Sequence, residues 1–259
     1  MNNNEIYKSI AEFAKNGYEL DLFLEYLKLA DLGVRKKSHI ALNKFIKIAE
    51  KWDFEKRKNF CKKILSLKNE ADNHKNLINY NLNKELLIVT LIEWINIEPN
   101  NHLPFHYLTC IHSYEYGKLS YDMSKLTCKL VPEFNQNNLY FHNKALELNP
   151  NDHKVRKYVI NHFLYFCGYY PTHHLPEGYV GDFGNTPEND LEDLKKNIPK
   201  HLKFLPDSKQ KNKFQEDYEY YVQLITDYIE FKKDDCKDFT EYTSKLNRYY
   251  HWVKAYYYK

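Results

Sequence analysis

Hydrophobic residues recur every three or four positions along almost the whole chain, which is the spacing that places them on one face of an α-helix. One stripe ends near Gly17 and the next near Gly33, and a glycine just past a helix supplies the left-handed residue that C-caps need. No segment shows the sustained alternation of a β-strand. The pattern therefore predicts an all-α protein of antiparallel helices, whose first stripes are Ile6, Ile10, Phe13 and Ala14, then Leu20, Phe23, Leu24 and Leu27.

Polar residues indicate where several of these helices begin. Ser38, Asp53 and Asp152 each precede an apolar stripe, and their side chains can accept a hydrogen bond from the first helical turn. The segment 84–97 is apolar around most of its circumference, which is typical of a buried helix. Two further helices are expected, from about Ser120 to Leu130 and from about Phe134 to Leu148.

The composition changes between Gly168 and Pro187, a segment that holds four of the seven Gly and three of the nine Pro. A helix-free segment of this length is uncommon in a compact protein and is often functional, so we predict a long ordered loop there. A short helix at 190–197 and breaks at Pro199 and Pro206 should follow. Two long helices close the chain, with the stripes Phe214, Tyr218, Tyr221, Ile225 and Ile229, then Phe239, Tyr242, Leu246, Tyr249 and Val253.

The segment Lys144–Asp152, KALELNPND, resembles the junction between two tetratricopeptide repeats. In that family Pro ends the second helix of a pair, and a small residue five positions earlier lets the two helices approach. Ala145 has this spacing from Pro150. Glu93–Asn101, EWINIEPNN, resembles the same junction less closely, with Trp94 at the place of the small residue.

The resemblance covers about residues 84–168 and implies helical hairpins stacked in a right-handed superhelix. Stacked helical pairs present a concave surface that binds a peptide or protein. The prolines at 99 and 132 are 33 residues apart, close to the family's period of about 34, but Pro150 follows only 18 residues later. We expect one continuous domain in four parts: N-terminal helices at 1–82, tetratricopeptide-like pairs at 83–168, the ordered loop at 169–187 and C-terminal helices at 188–259.

The amino-acid composition limits the classes of protein to which this chain can belong. The 24 Tyr are too many for a core alone, so a surface or groove lined with Tyr is expected, unless the count reflects biased codon usage. The net charge of +3 gives no reason to expect nucleic acid, although Met1–Leu82 holds 16 Lys and Arg against 11 Asp and Glu. Five scattered Cys fit a reducing compartment. With neither a signal pattern nor an apolar span, we expect a cytoplasmic protein with no membrane partner.

The segment 173–182, HHLPEGYVGD, carries the densest group of chemically active side chains. His173, His174, Glu177 and Asp182 are residue types that bind divalent metals. Adjacent His side chains in a loop do not naturally converge, however, so a structural or partner-binding loop explains the group better. Four-residue spacing also places His102 and His106 on one helical face, without a third ligand.

Two weaker patterns suggest other chemistry. Arg156 and His162 are spaced as in HEPN ribonucleases, and that resemblance would make them the RNA-cleaving pair, with Lys157 at the family's polar position. The basic runs 35–37 and 56–58 have the charge to meet phosphate, but a solvated helix face accounts for them as well. The phosphate-binding, esterase, zinc-protease and EF-hand motifs are missing from the sequence.

The sequence thus predicts a non-enzymatic protein-binding module that needs no cofactor. One alternative is a bacterial immunity protein that neutralises a cognate toxin, for example in contact-dependent inhibition. The other is a metal-dependent hydrolase or HEPN-like ribonuclease. Tyr and Trp are frequent interface anchors. The predicted partner-binding residues are Tyr169, Tyr170, His173, His174, Tyr179 and Asp182.

Overall fold

The fold is helical, as the hydrophobic pattern predicts. The computed structural model describes residues 2–70, 76–113, 127, 129–131, 139–175, 178–181 and 184–250, and these residues form helices and turns without a strand. The chain divides into two compact units, Met1–Leu148 and Asn149–Lys259. Within the described part, no helix combines the length and the apolar character that crossing a bilayer requires.

In chain order, the described helices of the first unit are α1 (Asn3–Ala14), α2 (Asp21–Asp31), α3 (Arg35–Ala49), α4 (Phe54–Glu70), α5 (Tyr80–Leu82), a wide π-helical turn (Asn83–Leu87), α6 (Ile88–Ile97), α7 (His102–Ser113) and α8 (Tyr140–Leu148). The second unit contains α9 (His153–Leu164), a second π-helical turn (Tyr165–Tyr169), α10 (Tyr170–Thr172), α11 (Pro187–Leu202), α12 (Lys209–Phe231) and α13 (Phe239–Lys245).

Most predicted helix ends are confirmed. Asp53 accepts a hydrogen bond from Lys56 N at 2.7 Å, and Asp152 accepts one from Val155 N at 3.1 Å. Gly17 and Gly33 have φ angles of +85° and +73°, the left-handed conformation expected after a helix.

The cap predicted at Ser38 is wrong. The helix begins one turn earlier, at Arg35, and Ser38 lies inside it, where its hydroxyl donates to Arg35 O at 2.8 Å. Ser38 is buried with the apolar stripe of α3, so packing decides its position rather than capping.

Aromatic rings fill much of the first unit's core. The Phe23 and Phe45 rings lie 5.0 Å apart, and Phe60 lies 5.2 Å from Phe45. All three side chains are fully buried, and Trp52 closes the group. Further along, α7 packs against both α6 and α8. This is a helical pairing, while the tetratricopeptide-like superhelix stays a prediction.

In the second unit, α9 and α12 pack on α11 around a core of Ile160, Leu194, Ile198 and Ile225. Two predictions for this unit are wrong. The chain stays helical through Thr172, so the irregular segment is shorter than the predicted loop. The helix expected at 190–197 runs from Pro187 to Leu202 with Pro199 inside it.

The last described helix is also shorter than predicted. It ends at Lys245, and Asn247 adopts a φ angle of +54°, which turns the chain back. Arg248 and Tyr250 then both donate to the buried carboxylate of Asp227 on α12. The predicted stripe reaches Val253, which lies outside the described residues.

Candidate functional site

An open groove in the second unit is lined mainly by aromatic and charged side chains. Its volume is about 280 Å³, just below the range for ligand pockets, about 300–1,000 Å³. One wall comes from the π-helical turn and α10, and the other from the first half of α12. The lining residues are Tyr169, Thr172, His173, Lys213, Asp217, Tyr220 and Tyr221.

The π-helical turn brings its wall close to α12. Its widened backbone closes with a hydrogen bond from Tyr170 N to Tyr165 O, and single turns of this type frequently occur at functional sites. Gly168 lies at the contact, where an added Cβ would be only 2.8 Å from two carbon atoms of the Tyr221 ring. The missing side chain therefore makes room for Tyr221 in the groove.

A ladder of rings runs along this first wall. Tyr165, Tyr169 and His173 are spaced four residues apart, so their side chains leave the helical backbone in the same direction. The Tyr165 and Tyr169 rings stack at 5.7 Å, and the Tyr169 and His173 rings stack at 5.2 Å. Tyr169 nevertheless remains 47% exposed, so the ladder presents aromatic surface to the groove.

The wall on α12 adds charge of both signs. Lys213 Nζ lies 2.5 Å from Asp217 Oδ1, one helical turn away, and the hydrogen bond to Asp217 raises the pKa of Lys213. On the same wall, burial raises the pKa of the Tyr221 hydroxyl, and Asp217 raises it further. The hydroxyl therefore stays protonated at neutral pH as a hydrogen-bond donor. The groove thus offers ring surface, a cation and a carboxylate within one small space.

The structure brings two of the predicted binding residues, Tyr169 and His173, into this groove. Tyr170 and His174 do not line it. They follow one position later on the same turn, and their rings meet each other edge to face at 6.4 Å. Tyr170 is 38% exposed, so it resembles Tyr169 in residue type and exposure but not in position.

Tyr179 is held by contacts within the fold and does not line the groove. Its hydroxyl donates to Asp190 Oδ2 at 2.7 Å, and its ring stacks on Tyr228 at 5.6 Å. Asp190 is fully buried and also accepts from Asn185 Nδ2 at 2.8 Å. Burial raises the pKa of Tyr179, and the hydrogen bond to Asp190 adds to this. The remaining predicted residue, Asp182, lies outside the described residues.

In the described part of the chain, the residues predicted for a metal site or for a ribonuclease pair do not come together. No group of three or more His, Cys, Asp or Glu there has an arrangement that could hold a metal, and Glu177 lies outside that part. Arg156 donates through Nη1 to His201 Nδ1 at 3.2 Å, whereas His162 packs on the Phe166 ring at 4.8 Å. Arg156 and His162 are six residues apart, and at about 100° per residue their side chains point about 120° apart around the helix axis. They therefore leave α9 on different faces.

Sequence reasoning missed the residues of the second wall. Lys213, Asp217, Tyr220 and Tyr221 are separated by four, three and one positions, which places all of them on one face of a helix. The sequence shows this spacing, but the same sequence also places Tyr221 in the predicted apolar stripe with Tyr218. Only the approach permitted by Gly168 shows that Tyr221 also faces a groove.

Comparison with known proteins finds no match: no family model, curated protein or solved structure matches this chain. A fold class by itself does not specify a function. The chemistry of the groove therefore carries the functional argument.

Proposed function

We propose that this chain is a non-enzymatic protein-binding module and that the groove seats a large side chain from a protein partner. The observation that carries the proposal is the exposed ring of Tyr169 in a concave site. Tyr supplies a large contact area with few rotatable bonds, and it is enriched among residues that dominate binding energies.

The size and charge of the groove support this class of ligand. A volume of about 280 Å³ suits a single large side chain with its flanking backbone. Asp217 and Lys213 line the groove, where they can accept from and donate to a partner's polar groups. A cation entering from the partner can also interact with the faces of the tyrosine rings.

The test compares wild-type protein with Tyr169→Ser and Tyr170→Ser in affinity capture from the native cell lysate, followed by a binding measurement with the purified partner. The two tyrosines are adjacent and similarly exposed, but only Tyr169 lines the groove. We expect one stoichiometric partner, with binding weakened at least about tenfold by Tyr169→Ser and unchanged by Tyr170→Ser.

Equal binding by all three proteins would contradict the role of the groove, and the lack of any enriched partner would contradict the binding function. Identification of a toxin as the partner would support the narrower immunity hypothesis. Tyr179→Phe serves as a second control because Tyr179 acts within the fold. It should lower stability while leaving the affinity of the folded protein intact.

A further inference from the structure

Exposed aliphatic side chains lie beside a basic run where α2 turns into α3, in the first unit. At the turn itself, Leu32 is 77% exposed and Val34 is 38% exposed, and Ile40 is 48% exposed on α3. Exposed apolar side chains that cluster mark interaction surfaces, whereas isolated ones do not. We refer to residues 32–47 as the α2–α3 corner.

The corner carries only positive charge. Ile40 lies three or four positions from Lys36, Lys37 and Lys44, so these side chains share its face of the helix. All of them are exposed. No ion pair found among the described residues involves any cation of the corner. The sequence between Leu32 and Ala49 has no Asp or Glu, and its basic residues are Arg35, Lys36, Lys37, Lys44 and Lys47.

The carboxylate that precedes the corner is directed elsewhere. Asp31 accepts hydrogen bonds from Asn3 Nδ2 and Asn76 Nδ2, each at 2.8 Å, and also from the Tyr7 hydroxyl. These bonds hold Asp31 against α1 and against the segment that follows α4. The positive charge of the corner therefore faces solvent together with the aliphatic side chains.

We propose that the α2–α3 corner docks on an anionic lipid surface. Leu32 and Val34 enter the interface between head groups and acyl chains, while Arg35, Lys36 and Lys37 contact lipid phosphates. Aliphatic side chains interleaved with Lys and Arg are the composition of segments that lie in this interface. The sequence-based expectation of no membrane partner rested on the absence of a spanning segment, and docking at the surface requires none.

The composition of the corner favours lipid over other anionic ligands. No Tyr, Trp or Phe is exposed between Leu32 and Lys47, so the corner lacks the large rings on which nucleic-acid bases stack. Leu32 is the most exposed large hydrophobic residue in the described part of the chain. A side chain that projects so far into water fits insertion into a soft interface better than a flat contact with a folded acidic protein.

The experiment is co-sedimentation of the full chain with vesicles at about 0.1 M NaCl. Phosphatidylcholine vesicles are compared with vesicles that also contain about 30% phosphatidylserine, which mimic an anionic leaflet. We expect binding only to the anionic vesicles. The double variant Lys36→Glu/Lys37→Glu should weaken it by at least about 30-fold, since each near-surface cation contributes about fivefold. Leu32→Ser should weaken it by about tenfold through lost apolar contact.

Lys195→Glu/Lys196→Glu is the matched control, because this pair is also adjacent, exposed and on a helix, and its reversal changes the net charge equally. It should bind like the wild type. Failure of the wild type to bind anionic vesicles would overturn the proposal. So would equal losses in both double variants, or equal competition by polyglutamate or single-stranded RNA, because charge alone would then explain the binding.

Discussion

At the scale of single residues, Gly168 sets how closely the π-helical turn approaches α12. An added methyl group would meet Cγ and Cδ2 of Tyr221 at 2.8 Å, well inside contact distance. We predict that Gly168→Ala lowers the free energy of unfolding by about 1–2 kcal/mol, because overpacking outweighs the gain of up to about 1 kcal/mol from removing a helical glycine. Urea unfolding followed by circular dichroism measures the change.

The control for this prediction is a double-mutant cycle. In a Tyr221→Ala background both 2.8 Å contacts with the ring are gone and only the contact with Cβ at 3.3 Å remains, so Gly168→Ala should cost much less stability there. An equal loss of stability in both backgrounds would show that the clash with Tyr221 is not the cause. The groove should respond in parallel, since displacement of Tyr221 changes one of its walls.

Residue-level prediction succeeded where the chemistry is local. Asp152 could be recognised as a helix cap because a cap needs only its own carboxylate and the backbone of the next turn. Tyr169 and Tyr179 could not be separated in the same way. One is exposed in a groove and the other donates to buried Asp190, and that difference depends on α11, which packs nearby but lies later in the chain.

At the scale of elements, α9 and α11 pack so that the buried imidazole of His201 lies next to positively charged side chains. Arg156 donates to His201 Nδ1 at 3.2 Å and to Pro150 O. The pKa of His201 is lowered to about 4. Burial is the largest cause, and the positive charges of Lys200 and Arg156 contribute to the same shift. His201 is therefore neutral in the folded protein at neutral pH.

This arrangement predicts a loss of stability in acid. An unfolded His binds a proton near pH 6.5, whereas folded His201 binds one only near pH 4. Between these two pH values the unfolded state binds more protons than the folded state. The contribution of neutral His201 to the free energy of unfolding is therefore fully present above about pH 6.5 and is lost as the pH falls towards 4. We expect His201→Gln, whose amide oxygen can still accept from Arg156, to reduce the fall between pH 7 and pH 4.5 by about 1–3 kcal/mol.

Urea titrations of both proteins at several pH values provide the measurement. Other groups titrate in this range as well, among them His162, whose pKa burial lowers to about 4. The informative quantity is therefore the difference between wild type and variant. Parallel pH profiles for the two proteins would contradict a neutral, buried His201.

The course of α11 shows why element boundaries were harder to predict than element types. Pro199 removes one backbone donor and normally ends a helix. Here the helix continues for three more residues, because Ile198, His201 and Leu202 are buried and held by their neighbours. The stabilisation comes from tertiary packing, which the local sequence does not contain.

At the scale of the whole molecule, the all-α class follows from the periodicity of the sequence, but the division into two units does not. The boundary falls between Leu148 and Asn149, at a turn that the sequence marks only as one helix junction among several. A junction and a boundary contain the same turn residues. They differ in where the flanking helices pack, which is a property of distant parts of the chain.

The second unit has the interior of an independent domain, and this leads to a prediction. Its two core clusters draw only on residues between 160 and 250, and every lining residue of the groove lies in the same range. We expect the fragment 149–259 to be helical, to unfold cooperatively in urea and to retain the captured partner. The fragment 165–259 is the control, because it lacks Ile160 and Leu164 from the core and should lose cooperativity. A non-cooperative transition for fragment 149–259 would show that its clusters need the first unit, and the binding site would then belong to the whole chain.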